Sequence, residues 1–203
     1  MKADPHHRRG NGGPKLNRAR DLLVFGLTFF KEPAMLGSVI PSSRFLVRRA
    51  LREVDWSQAR VVVEYGPGVG TFTGELLKRM TPDAKLLAFE TQDDFVRHLQ
   101  DEIPDPRLEV VHDSAGAAAR VLEERGAGPA DYVLSGIPFS LMPPDERDAI
   151  LQNTREMLAP NGTFLVYQFS PTIKKPLQKA FGRVDSEFES RNIPPARVYR
   201  CRP

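Results

Sequence analysis

Apolar residues recur along this chain in two rhythms. Between residues 15 and 31, Leu16, Ala19, Leu23, Leu27 and Phe30 keep helical spacing. Phe25 and Phe29 widen that apolar face, and Arg18, Arg20 and Lys31 flank it. Pro41-Ser42-Ser43 then supplies a turn with two capping hydroxyls. In the helix predicted after it, Val47, Leu51 and Val54 form an apolar stripe, while Arg44, Arg48 and Arg52 form a cationic one at i, i+4, i+8. From Arg60 the rhythm changes, and short apolar runs alternate with amphipathic segments. Strands are predicted over 61–65, 85–89, 108–112, 131–134, 163–169, 184–189 and 197–201, and helices over 71–80, 93–103, 115–124, 145–158 and 171–181. The last two strands are separated by Asn192-Ile193-Pro194-Pro195. This alternation implies an α/β fold: a mainly parallel seven-stranded sheet with helices on both faces.

Length and composition keep that picture simple. The chain has 203 residues, 40% hydrophobic and 27% charged, which suits one α/β domain with a modest appendage. Residues 1–14, with Pro5, Gly10, Gly12, Gly13 and Pro14 among charges, are expected to be a disordered basic tail. Residues 15–55 are expected to form a helical, membrane-interacting or lid region, and 56–203 the ligand-binding domain. The net charge is only +3, but residues 1–20 hold six basic residues against one acidic, a net +5. A basic arm on a near-neutral body suits an anionic surface. The helix over 15–31 therefore has two readings: lying in a membrane interface, or packing on the domain. Its apolar run, 22–30, is too short to span a bilayer, which takes about 20 residues. Cys201 is the single cysteine, so no internal disulfide or CxxC metal site is available, and a cytoplasmic setting is expected. His6 and His7 read as solvated, and no metal is expected.

The strongest chemical signal is Val61-Val62-Val63-Glu64-Tyr65-Gly66-Pro67-Gly68-Val69-Gly70, a strand running into alternate glycines and then a helix. Glycines let the backbone turn tightly and approach a ligand closely, and the helix start offers free N–H groups. Glu90 ends the next predicted strand, at the spacing where an acid takes ribose hydroxyls. Asp113 follows His112 at the end of the third, placed to accept from an adenine amino group. Three successive strand ends thus carry compatible groups.

Over roughly residues 60–170 this pattern resembles the class I S-adenosylmethionine-dependent methyltransferases, whose first motif, E/D-x-G-x-G-x-G, is matched by Glu64, Gly66, Gly68 and Gly70. The resemblance implies a Rossmann-like sheet and S-adenosylmethionine as cofactor. The glycine loop would face its methionine part, Glu90 its ribose and Asp113 its adenine. Tyr65, Thr71, Thr91, Ser114 and Ser135 are expected beside them in the cofactor site. Glu64 before the first glycine sets the pattern apart from dehydrogenases, and NAD is the minor alternative.

Ser135-Gly136-Ile137-Pro138-Phe139, after the fourth strand, resembles the N-x-P-Y/F element of adenine and ribosomal RNA dimethyltransferases, with Gly136 in the asparagine position. The asparagine side chain that holds an adenine amine is therefore missing. Two other segments, Phe29-Phe30-Lys31-Glu32-Pro33 with Gly37–Ser43, and 188–199, resemble the soluble bacterial phosphatidylethanolamine N-methyltransferases. That resemblance implies stepwise methylation of the ethanolamine headgroup toward phosphatidylcholine by a peripheral membrane enzyme. Phe25, Phe29 and Phe30 would be its lipid contacts. Ser135, Ile137, Phe139 and Tyr167 are the candidate catalytic residues. Tyr167, Ser135 and His112 are the candidate proton acceptors, and Phe139 and Tyr167 the candidate aromatic faces for a cation. Arg191 or Arg197, and less so Lys174 and Lys175, would meet the lipid phosphate. The alternatives are an RNA adenine dimethyltransferase, whose basic arm would bind nucleic acid, and a non-catalytic protein that binds the cofactor and membrane.

Overall fold

The computed structural model describes residues 42–203. The expected tail, the helix over 15–31, and Phe25, Phe29 and Phe30 lie outside the described residues. The seven strands are β1 (Val61–Tyr65), β2 (Lys85–Glu90), β3 (Leu108–His112), β4 (Ala130–Ser135), β5 (Leu158–Gln168), β6 (Arg183–Glu189) and β7 (Ala196–Arg202). They form one sheet in the order β3-β2-β1-β4-β5-β7-β6. Strands β1 to β5 pair in parallel, and β7 runs antiparallel between β5 and β6. The strand order reverses between β1 and β4, and in open α/β sheets such a switch point is where ligands bind, at the carboxyl ends of the strands.

Six α-helices occur among the described residues: α1 (Arg44–Leu51), α2 (Thr71–Arg79), α3 (Asp93–Glu102), α4 (Ala118–Glu124), α5 (Pro144–Met157) and α6 (Lys174–Ala180). Their starts follow local chemistry. Ser43 Oγ accepts from Leu46 N–H at 3.2 Å and caps α1. Pro144 opens α5, with Asp145 and Glu146 in its first turn. The helices expected over 115–124 and 171–181 each begin instead with a tight 3₁₀ turn, at Ala115–Ala117 and Pro171–Ile173. Strand β5 starts five residues early. Ala130 pairs with Leu158 and Tyr132 with Thr163, so extra residues bulge between those pairs. Gly162 is needed there, since a Cβ would press on the Ala130 carbonyl oxygen at 2.8 Å.

All five residues of β1 are buried, as a strand covered on both faces requires. Val61, Val63 and Tyr65 face one core with α4, α5 and α6. Val62 faces the other, built with Leu46, Val47, Ala50 and Leu51 of α1 and Phe72, Leu76 and Leu77 of α2. Helix α1 thus belongs to the core of the sheet rather than standing apart in an N-terminal region.

Ion pairs clamp α1 to the β6–β7 hairpin. Arg49 donates to Glu189 and to Glu187, each at 2.8 Å. Arg200, 1% exposed, donates to the Arg49 carbonyl and to Glu187, each at 2.8 Å. Ser43 N–H donates to Asn192 Oδ1 at 2.9 Å. Between Arg49 and Arg191, the Glu189 carboxyl is held well below the usual range, at about 2. Removing one partner of a buried pair typically costs about 3–5 kcal/mol. Glu187 keeps Arg49 and Arg52, so Arg200→Ala is expected to lose on the order of 2–3 kcal/mol in a urea titration. Arg60→Ala, breaking the exposed pair with Asp83, should change stability by under about 1 kcal/mol.

Candidate active site

The site lies at the carboxyl ends of β1, β2, β3 and β4. Three left-handed glycines carry the chain from β1 into α2: Gly66 at φ 67°, Gly68 at 55° and Gly70 at 79°. Only glycine adopts such angles without strain. A Cβ on Gly66 would lie 2.7 Å from Ile137 Cγ2, and one on Gly70 2.7 Å from Ile103 Cδ1. The loop is pinned from β2. Gly66 N–H donates to the Phe89 carbonyl at 2.9 Å, and Gly68 N–H to Glu90 Oε2 at 3.1 Å. Glu90 Oε1 also accepts from the N–H groups of Thr91 (2.9 Å) and Gln92 (3.0 Å).

Beside this loop is a cavity of about 370 Å³, in the range of small-molecule sites. Gly66, Glu90, Thr91, Asp113, Ser114 and Ile137 contribute to its wall. Asp113 accepts from Ser114 N–H at 2.7 Å and pairs with Arg120 at 3.0 Å. The structure therefore brings together the groups from three strand ends that the sequence assigns to one ligand. Its cradle fits an elongated polar molecule: glycines leave room for close approach, and the carboxylates of Glu90, Asp113 and Glu146 stand along the wall.

Other predicted residues fall elsewhere. Glu64 points to the α2 side and is 2% exposed, accepting from Thr73 Oγ1 at 2.7 Å. Burial and the nearby Glu90 charge push its carboxyl up to about 8. The Tyr65 ring is core, edge-on to Phe89 and Phe164, and its hydroxyl meets Thr154 Oγ1 at 3.1 Å. Only its backbone reaches the site, where its carbonyl accepts from Gly136 N–H at 3.0 Å. Phe139, expected as an aromatic face at the lip, is fully buried and meets Phe164 edge-on. Apolar burial outweighs exposure there, and the ring presents no face to the cavity. Ser135 is also fully buried, and its hydroxyl has no hydrogen-bond partner. Thr71 opens α2 and borders a separate trough against α1. His112 sits at the outer rim, near Thr91 O (3.2 Å) and Asp93 Oδ1 (3.1 Å).

Tyr167 fills the place opposite Gly136. A Cβ on Gly136 would lie 2.7 Å from Tyr167 Cζ and closer still to the hydroxyl. The ring stacks on Phe72 with centroids 4.9 Å apart. Burial pushes its hydroxyl up to about 12, with a Ser42 hydrogen bond opposing the shift. Two contributors escape sequence reasoning. Gln168 is 4% exposed, and its Nε2 donates to the Ile137 carbonyl at 2.7 Å, fixing the lip. Thr73 reveals its role only through Glu64. A glutamine ending an otherwise apolar strand was the one available hint. Arg191 bonds Glu189 at 3.0 Å and lies over the Phe45 ring at 4.2 Å, while Arg197 lies over Phe188 at 5.4 Å. Neither lines the 370 Å³ cavity, and Lys174 and Lys175 are exposed at the start of α6.

Comparison with known proteins agrees with this geometry. The family described as "Methyltransferase domain" matches residues 62–162. An ornithine lipid N-methyltransferase of Singulisphaera acidiphila is 34% identical over 185 residues, covering 90% of this chain and 96% of that protein. A ribosomal RNA small subunit methyltransferase A of Thermotoga neapolitana is 32% identical over 110 residues, covering 54% of this chain and 39% of that protein. The crystal structure of a SAM-dependent methyltransferase from Aquifex aeolicus superposes with a TM-score of 0.60 at 14% identity, covering 90% of this chain and 97% of that one.

Two outcomes follow from the geometry. The folded protein holds a proton on Glu64 that the unfolded chain releases above its ordinary value near 4.5, so this group makes stability fall as pH rises from about 4.5 through 8. Glu64→Gln is expected to melt higher than the native protein at pH 8–9, with no such gain at pH 4, by calorimetry across pH. Gly136→Ala should cost about 1–3 kcal/mol by overpacking against Tyr167. The cost should largely vanish in a Tyr167→Ala background, as a double-mutant cycle would reveal.

Proposed function

This chain belongs to the class I S-adenosylmethionine-dependent methyltransferases, with S-adenosylmethionine as cofactor, and from that premise we propose that it methylates the headgroup amine of phosphatidylethanolamine at a membrane surface. The observation that carries the choice of acceptor is the approach of Tyr167 to Gly136. It fills the volume that an asparagine would need to hold an adenine amine. With Phe139 also buried, a flat base finds neither its polar clamp nor a ring from the lip. A flexible alkyl amine needs neither. The related lipid N-methyltransferase supports the same class of acceptor, and it favours a second reading in which the lipid is an ornithine lipid.

In this reading Glu90 takes the ribose hydroxyls through Oε2, which keeps a lone pair free beyond its bond from Gly68 N–H, while Oε1 is occupied by Thr91 and Gln92. Asp113 faces the adenine, and the glycine loop the methionine end. When bound, S-adenosylmethionine supplies a methyl group already activated by its sulfonium. The protein's work is therefore alignment and exclusion of water, and proximity supplies much of the rate. Ile137 and Pro138 form the apolar wall beside the amine, held by Gln168. The amine must lose a proton before it attacks. Tyr167 stays un-ionised at neutral pH and orients the amine by hydrogen bonding instead of accepting its proton. Ser135 is sealed in the core, and His112 lies on the outer rim. The proton therefore leaves to water.

Leu141 (58% exposed), Phe169 and Ile193 (82% exposed) support action at a membrane. Strand β6 runs parallel to β5, so the β6–β7 turn carrying Ile193 lies on the same edge as the site. Exposed apolar side chains thus stand on the edge of the sheet that carries the site, with Leu141 in the cavity wall itself, where a lipid would enter. Among the described residues no helix is long and apolar enough to cross a membrane.

The test supplies methyl-labelled cofactor with vesicles of phosphatidylethanolamine, vesicles of ornithine lipid, or ribosomal RNA. Label is expected in methylated phosphatidylethanolamine. Label in ornithine lipid alone moves the acceptor to the second reading, and label in RNA alone overturns both. Glu90→Ala should weaken cofactor binding about 10–100-fold by calorimetry, the loss expected for a charged hydrogen-bonding group.

A further inference from the structure

A second cavity, of about 730 Å³, lies between α1 and the start of α2. Arg44, Phe45 and Arg48 wall one side, Thr71 and Arg79 the other, and Ser42 stands at one end. Both helices begin at the site edge of the sheet, since Ser43 N–H bonds Asn192 of the β6–β7 turn and α2 follows the glycine loop. The trough therefore has one end at the edge of the sheet that carries the site.

Its connection to the reaction centre is direct. Ser42 hydrogen-bonds Tyr167, Tyr167 lies against Gly136, and Ile137 next to Gly136 lines the cofactor cavity. Phe72, beside Thr71, carries the Tyr167 ring. The trough and the cofactor cavity thus flank one glycine loop.

Its charge is unbalanced. Arg49, Arg52 and Arg191 are each engaged by Glu187 or Glu189. Arg44 and Arg48 are exposed and form no ion pair with a described carboxylate. Glu75, the anionic residue of the trough wall, already holds Lys78 at 2.9 Å and Arg79 at 2.6 Å. Four residues apart on one helix, the Arg44 and Arg48 side chains share a face and can converge on one group. A guanidinium is permanently charged, and its planar fork matches the oxygens of a phosphate or carboxylate. Phe45 and Val47 add apolar wall for the stem behind such a group.

We propose that Arg44 and Arg48 bind the anionic group of the lipid acceptor in this trough, holding its amine toward Tyr167 and Gly136. The proposal rests on the lipid N-methylation reading. It also gives the cationic stripe of α1 a division of labour: Arg52 belongs to the hairpin clamp, and Arg44 and Arg48 to substrate.

The experiment uses the full chain and vesicles in which the mole fraction of phosphatidylethanolamine varies at fixed total lipid, so that KM separates from kcat. Arg44→Gln with Arg48→Gln is expected to raise KM for the lipid about tenfold or more, the loss of one or two charged hydrogen bonds. The kcat and the calorimetric affinity for cofactor should hold, and lysine at both positions should restore part of the KM. Lys85→Gln with Lys179→Gln removes the same charge from exposed positions away from the trough and should leave KM unchanged. An unchanged KM in the arginine variant, or an equal rise in the lysine control, overturns the proposal. So does a loss of cofactor binding or thermal stability in the arginine variant, which would assign the trough to packing by the segment before Ser42. An unaltered protein that methylates no lipid overturns the functional reading itself.

Discussion

The Glu90 carboxylate is the constraint around which the ligand edge of the sheet is organised. It accepts from Gly68 on the loop after β1 and from Thr91 and Gln92 after β2. Buried at 6% exposure, it satisfies three backbone donors from two loops at once. Without that bridge Gly68, between the two glycines that bond to backbone carbonyls, would lose its partner on β2, and the cavity wall would lose its shape. The same charge lies near Glu64, which burial already drives toward its protonated form. One buried acid therefore shapes the loop and helps set the protonation of its neighbour.

A second acid pair organises the opposite flank. Glu187 and Glu189 gather Arg49, Arg52, Arg191 and Arg200, and so bind α1 to the antiparallel end of the sheet. Ion pairs with one partner this deeply buried define geometry more reliably than they add stability. Their effect here is to place α1 at a defined distance from α2. The trough between those helices, with the Arg44 and Arg48 guanidiniums in its wall, is a consequence of that placement.

Tyr167 joins the two flanks. It reaches from β5 to Gly136 at the end of β4, stacks on Phe72 of α2 and meets Ser42 before α1. A single ring thereby fills the space that a side chain at Gly136 would occupy. The departure at Gly136 from the asparagine of RNA dimethyltransferases is half of a pair, and Tyr167 is the other half.

Much of the fold was legible because its causes are local. Period-two and helical spacings follow from backbone geometry, and the seven strands lie close to where those spacings put them. The glycine loop was legible for the same reason: three positive φ angles demand residues without Cβ, and the demand is written in alternate positions of one short segment. Partnerships across the chain were not legible. Glu64 finds Thr73, Gln168 finds the Ile137 carbonyl, and Arg49 finds Glu189 at a separation of 140 residues. Phe139 and Tyr65 are aromatic residues beside a binding loop, and their types suit a pocket and a core equally. Only the packing of β4 and β5 against α5 and α6 decided that both face inward. The sequence by itself determined the elements and the glycine loop, since backbone sterics act between neighbours. The tertiary structure alone decided which side chains meet, since burial and pairing depend on residues that the chain brings together only by folding.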